Sequence, residues 1–324
     1  MKKIIFNIFI PILFVSCINN KNDMITLIDF NEIPGKPEYM LFKSENEGYI
    51  FSKKGNLYSE ASIMIYKTIN GGKDWQQIYF ANDWLFYGYA KLYDNAIFGN
   101  IKSSKNVAKN NLFKLNLATQ EFKLFDFNIE AIGNVWVKND SVCLSFYNKP
   151  QNYILTTDTS FSAYSVKFFG YTPKTDGVVS DNINTYFVTW KNQLVVETDG
   201  EYKEVAITEP ACITKIAENK VLIATNEHKN AINLYQYDLA RDKLEKLTTF
   251  ENYSFINYLQ SNENVIVGFV GTETYFPVYD LIYSTDKGQT WQILKLKELM
   301  ITPNCLINNV LYIYSGINLQ KITF

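Results

Sequence analysis

Six stretches of this 324-residue chain follow one plan: an apolar run, a turn of Asn, Asp, Gly or Lys, and a second apolar run that opens near a large side chain. With Trp75 as the marker, the equivalent positions are Phe122, Tyr164, Tyr202, Leu244 and Trp291, at spacings of 47, 42, 38, 42 and 47 residues. A repeat of this kind constrains a fold more than any composition does, because each unit must bury its apolar faces against copies of itself. A leading pair of apolar runs stands before each turn, as in "YMLFKSENEGYIFS" and "ITKIAENKVLIAT", so a unit amounts to four short strands. No stretch of ten or more residues beyond the N-terminal leader has a helical period.

Four-strand units repeating every ~40–45 residues are the signature of an all-β β-propeller. The full units fall at 38–80, 83–127, 130–169, 176–207, 211–250 and 254–296. The C-terminus supplies three more strands, and "MITLIDF" (24–30) supplies one orphan. An open ring leaves a sheet edge bare, and pairing the orphan strand into the last sheet removes that edge. The expectation is therefore seven four-stranded blades in a single domain over 24–324, with six blades as the alternative. Phe and Tyr, at 23 residues each, supply the large side chains such a fold needs.

The leader has different chemistry. Lys2 and Lys3 precede an apolar run that is too short to span a bilayer as a stable helix, and Ser16-Cys17 closes it. "FVSC" resembles the lipobox of bacterial lipoproteins, with Phe14 where Leu is usual. The resemblance implies removal of residues 1–16 as a signal peptide and acylation of Cys17, with 17–23 as a polar tether. It also implies a lipid-anchored protein of the bacterial cell envelope, at the outer membrane and facing the periplasm or the surface. Acyl chains at ~0.8 kcal/mol per buried CH₂ would hold it there.

Two of the turns are near copies. Thr68, Asn70, Gly72 and Trp75 match Ser284, Asp286, Gly288 and Trp291 in spacing. The pattern resembles the Asp-box, or BNR repeat, of sialidases, and related propeller repeats occur in photosystem assembly factors. The resemblance implies a structural turn on the outside of a blade, away from the ligand face. Local chemistry agrees: Asn70 or Asp286 can accept backbone N–H bonds within its own turn, Gly can take φ > 0, and Trp can pack over the result. Sialidases grip the substrate carboxylate with three arginines, a geometry that lysine does not reproduce. Arg241 is the only arginine here, so that site cannot be built, and the arginine patch of the assembly factors is absent too.

Other chemistries find little support. Cys143, Cys212 and Cys305 remain after Cys17; they are odd in number and lie in apolar runs, which suits buried free thiols. His228 is the sole histidine, so neither a zinc set nor a Ser–His pair is expected, and no cofactor is implied. Lys plus Arg total 31 against 33 acids, which gives no field for nucleic acid. Those acids leave a two-carboxylate glycosidase open by count alone.

Binding is expected on the loops that join second to third strands and blade to blade. The residues there are Tyr58, Lys102, Lys105, Tyr171, Lys174, Tyr275 and Phe276; Trp84, Trp136 and Trp190 read as core. The function expected is a non-catalytic protein-binding module that serves assembly, capture or toxin neutralisation. The alternative is a carbohydrate-binding protein or a two-carboxylate glycosidase.

Overall fold

Val, Ile, Phe and Tyr dominate the apolar runs, and these residues suit a pleated surface covered on one or both faces. The computed structural model describes residues 24–28, 33–55, 61–105, 110–228, 230–272, 278–298, 304–314 and 318–324. The described residues form seven four-stranded antiparallel sheets. The one helical element among them is a single 3-10 turn, Leu239–Arg241.

Six blades run in sequence through 36–82, 84–129, 131–168, 173–205, 210–251 and 255–298. The expected units differ from these by a few residues at their ends, and "PKTDG", expected as loop, opens the strand Pro173–Ser180. The seventh blade takes Asn304–Ile307, Val310–Tyr314 and Leu319–Thr323 from the C-terminus and Ile25–Ile28 from the N-terminus. The register pairs Ile25 with Ile322 and Ile28 with Leu319. Thr323 N–H also donates to Met24 C=O at 3.0 Å. The ring thus has seven blades, and the orphan strand closes it.

From blade 7 through blade 1 and on to blade 6, the first strands of successive blades lie against one another, as Ala131–Lys138 does against Pro173–Ser180. Second and third strands are sandwiched between blades, so most are buried over much of their length; Asn184–Thr189 and Ile266–Gly271 are wholly buried. Outer strands meet solvent, and Tyr164–Phe168 is exposed throughout. The first strands of blades 1 to 6 each carry a register shift. Such bulges bend a strand and raise its local twist, as the crowded centre of a ring requires.

Chain direction gives the ring two distinct ends. The 1–2 and 3–4 turns gather at one, which we term the motif end because it carries the two near-identical turns. The 2–3 loops and the blade-to-blade connections gather at the other, the loop end. Met24 and Phe324 stand where the missing 3–4 turn of blade 7 would be, so the N-terminus of the propeller emerges at the motif end.

Ile25 packs toward blade 6 and Ile28 toward blade 1. Replacing both by Ser should lower stability by ~2–4 kcal/mol in urea denaturation. A midpoint equal to wild type would show that the strand does not close the ring.

Candidate functional site

The two near-identical turns share one hydrogen-bond plan. Gly72 N–H donates to Thr68 Oγ1 at 2.9 Å, Asp74 N–H to Asn70 Oδ1 at 3.0 Å, and Trp75 Nε1–H to Gly72 C=O at 2.9 Å. In the second copy Gly288 N–H donates to Ser284 Oγ at 2.8 Å, Thr290 N–H to Asp286 Oδ1 at 2.8 Å, and Trp291 Nε1–H to Gly288 C=O at 3.1 Å. Gly72 and Gly288 stand at φ 91° and 86°, a region costly for any side chain. Each Trp lies just before its strand rather than in it, and each is half-buried. Asp286 accepts from the Thr290 hydroxyl, the Thr290 backbone and Ser284, and these bonds hold its carboxyl down at about 2. Its oxygens are committed to the turn and offer no acid or nucleophile.

The two indoles do a job that other residues share. Trp75 packs on Phe42 and on the blade 7 cluster around Tyr312, and Trp291 packs on Phe250 of blade 5. In both cases a 3–4 turn sends a ring onto the preceding blade. Leu117 does the same from blade 2 onto blade 1, Phe161 from blade 3 onto blade 2, and Leu239 from blade 5 onto blade 4. Phe324, at the equivalent place in blade 7, packs on Tyr283 of blade 6. Blade 4 is different. Its 3–4 turn is only Asp199 and Gly200, and it carries no apolar side chain. Asp158 in blade 3 is a partial third copy, accepting from Ser160 N–H and Ser162 N–H at 2.9 and 3.0 Å.

At the loop end the expected binding residues separate. Lys105 is exposed and pairs with Asp83 at 2.6 Å. Lys102 is half-buried on Ala96–Ser103. Tyr171 packs its ring on Phe169 and Tyr202, and its hydroxyl donates to Glu204 at 3.1 Å. Lys174 is not a free binding group: it donates to Asn192 Oδ1 and to Pro210 C=O, both at 2.8 Å, and so ties blade 4 to blade 5. Burial pushes its pKa down. Cys17, Tyr58, Tyr275 and Phe276 lie outside the described residues.

Trp190 corrects the core assignment. It is 63% exposed at the loop end, in the turn that follows Asn184–Thr189, with its N–H on Thr172 C=O at 2.9 Å. The apolar run "NTYFVTW" hides the fact that the strand stops one residue earlier. Trp84 and Trp136 do pack in the interior. Among the described residues Trp190 is the large ring most open to a partner at this end.

Three side chains at the loop end could suggest chemistry. Tyr253 Oη donates to Asp280 Oδ2 at 2.7 Å, and Lys295 Nζ donates to both, at 2.9 and 2.5 Å. Burial raises the Tyr253 pKa, and the hydrogen bond to Asp280 raises that of Lys295. Both shifts lead away from neutrality, so neither group is poised as a base. Cys143, Cys212 and Cys305 are thiols rather than disulfides, and burial pushes Cys143 and Cys305 up to about 11. Arg241 is solvent-exposed beside Asp238 and has no second arginine to join it.

No protein family model and no curated protein matches the sequence. Solved structures do match in fold. The β-propeller domain of the Trilobed protease from Pyrococcus furiosus aligns with a TM-score of 0.61 at 10% identity, covering 89% of this chain and 92% of that one. BamB from Moraxella catarrhalis aligns at 0.55 and 14% identity, covering 88% and 82%. TolB from Acinetobacter baumannii aligns at 0.50 and 11% identity, covering 85% and 80%. The Pyrococcus domain is described as having an open velcro topology, whereas the last blade here is closed by the N-terminal strand. At these identities the likeness establishes the fold alone: the chain is a seven-bladed β-propeller.

Two outcomes follow from the turns. Trp291→Ala should cost ~2–3 kcal/mol, below a fully buried Trp because the ring is half-covered; a change within ~0.5 would show that it does not fasten blade 6 to blade 5. Asp286 is held at about 2 when folded, against 3.8 when unperturbed. Its stabilisation is therefore complete above about pH 4 and lost as pH falls toward about 2. The stability gap between wild type and Asp286→Asn, measured by urea denaturation, should narrow through that window.

Proposed function

We propose that this is a lipid-anchored, non-catalytic propeller that holds a protein partner at its loop end, at a bacterial envelope membrane. The observation that carries the reading is the position of Met24. The propeller's N-terminus emerges at the motif end, so a tether of residues 17–23 acylated at Cys17 would leave from there. Seven extended residues reach ~25 Å at most. The motif end then stays near the bilayer and the loop end points away from it.

Several features support a binding role. The two turns that resemble Asp-boxes spend their polar atoms on their own backbone and their rings on neighbouring blades, which is scaffold work. Among the described residues, the carboxylates with a displaced pKa, Glu47, Asp158, Asp181, Asp242 and Asp286, all shift downward. A glycosidase acid requires the opposite shift. Trp190 supplies the kind of ring that anchors protein interfaces.

The same ring favours one second reading, carbohydrate binding. An exposed indole near Thr172, Asn192 and Gln193 suits a sugar that stacks on the ring and hydrogen-bonds at its rim.

The test is made in native envelopes. Cys17→Ser should release the protein from membranes, and unchanged fractionation would refute the anchor. Trp190→Ala should leave the fold and fractionation intact and reduce the yield of the cross-linked protein partner. Retention of the partner with loss of glycan-array signal would favour the carbohydrate reading.

A further inference from the structure

The outer strand of every blade leaves one backbone edge bare, and a bare apolar edge pairs with another chain unless charge or a bulge blunts it. Blade 3 is the least blunted. On its outer strand Tyr164, Val166 and Phe168 are 61%, 45% and 59% exposed. Among the described residues, each other outer strand exposes one large apolar side chain at most. The outer strands of blades 4, 5 and 6 interleave theirs with acids and lysines, whereas "YSVKF" has the single charge of Lys167.

The three exposed side chains share one face of the sheet, because side chains alternate along a strand. The register sets Phe146, Tyr153 and Phe168 in one row of that face, and Leu144, Leu155 and Val166 in the next. Blade 2 covers the inner ends of these rows and leaves the rim open. Tyr164 reaches blade 2 only by an edge contact with Phe127, ring centres 5.2 Å apart.

The backbone presents its free groups at the same three residues. Phe169 N–H donates inward to Asn152 C=O at 2.9 Å. Amides alternate in direction along a strand, so those of Tyr164, Val166 and Phe168 point outward from the edge of the sheet. The five residues are also alike in character when read in either direction from Val166. Two copies laid antiparallel on a two-fold axis at Val166 set valine against valine and Tyr164 against Phe168. All of these point outward, so each facing pair exchanges both of its main-chain hydrogen bonds. On the opposite face Lys167 meets Ser165 rather than a second lysine, so no like charges oppose each other.

We propose that the outer edge of blade 3 is a homodimer interface, formed by antiparallel pairing of Tyr164–Phe168 with the same strand of a second copy. The occupant is a second copy because the edge complements itself in ring, backbone and charge, as a two-fold interface requires. A five-residue strand buries less than the ~1,200 Å² of a standard interface, so the expected Kd is on the order of 10–100 μM. The interface lies on the rim and uses neither the loop end nor the motif end. It stands or falls independently of the partner proposed above.

The experiment is sedimentation equilibrium of the purified chain from about 1 to about 500 μM, a range that brackets this Kd. A monomer–dimer equilibrium is expected. Val166→Lys sets two lysines against each other at the axis and should weaken dimerisation at least tenfold; an unchanged Tm checks that this exposed position leaves the fold intact. Ser165→Glu sets a carboxylate against Lys167 of the second copy at both ends of the pair and should tighten the dimer roughly threefold to tenfold. Ser165→Lys sets lysine against lysine and should loosen it by a similar factor. A monomer at every concentration overturns the proposal. So does a dimer that Val166→Lys leaves unchanged, or one that Ser165→Glu and Ser165→Lys affect alike.

Discussion

Four residues from one terminus, laid against five from the other, turn a row of sheets into a ring. Ile25–Ile28 pairs with Leu319–Thr323, and every other blade is then flanked on both sides. That condition explains the residue pattern. A middle strand covered on two faces is mostly apolar, with its few polar side chains hydrogen-bonded, and an outer strand need not be. Without the closing pair, blade 7 would end on a bare edge and the row would have two free faces to solvate.

The second requirement is that the blades do not slide past one another. Wedges from five 3–4 turns and from the C-terminal residue, which takes the place of the sixth, meet it. Trp75, Leu117, Phe161, Leu239, Trp291 and Phe324 each reach the blade before their own. In the two indole turns a hydroxyl, a carbonyl-bearing side chain and a glycine fix the loop beneath the ring. The same architecture explains the exception. Where blade 4 turns in two residues, the wedge is missing, and polar side chains line the space it would have filled.

Much of this was legible in the sequence. The marker positions located the blades because a strand-turn-strand unit must repeat to share one core, and the orphan run at 24–30 announced the closure. The wedges of blades 2, 3 and 5 were not legible, since Leu117, Phe161 and Leu239 share no motif. The bulges on the inner strands were hidden because a register shift leaves no compositional trace. Trp190 was misread because strand and turn divide inside a single apolar run. Lys174 looked like a loop cation, and its commitment to Pro210 C=O, 36 residues away, belongs to tertiary structure alone. The space left between blades 3 and 4 was the least visible feature, since Trp136 and Cys143 look like ordinary core residues when neighbouring blades are not seen.

The central claim is that the N-terminal strand is an integral part of blade 7. Amide hydrogen exchange on the intact protein tests it most directly. The hydrogen-bonded amides of 25–28 and 319–323 should exchange together, at rates close to those of the buried strand Ile266–Gly271, because opening them opens the ring. Exchange of 25–28 within seconds, while 266–271 stays protected, would show that the ring holds without its closing strand and would contradict the account.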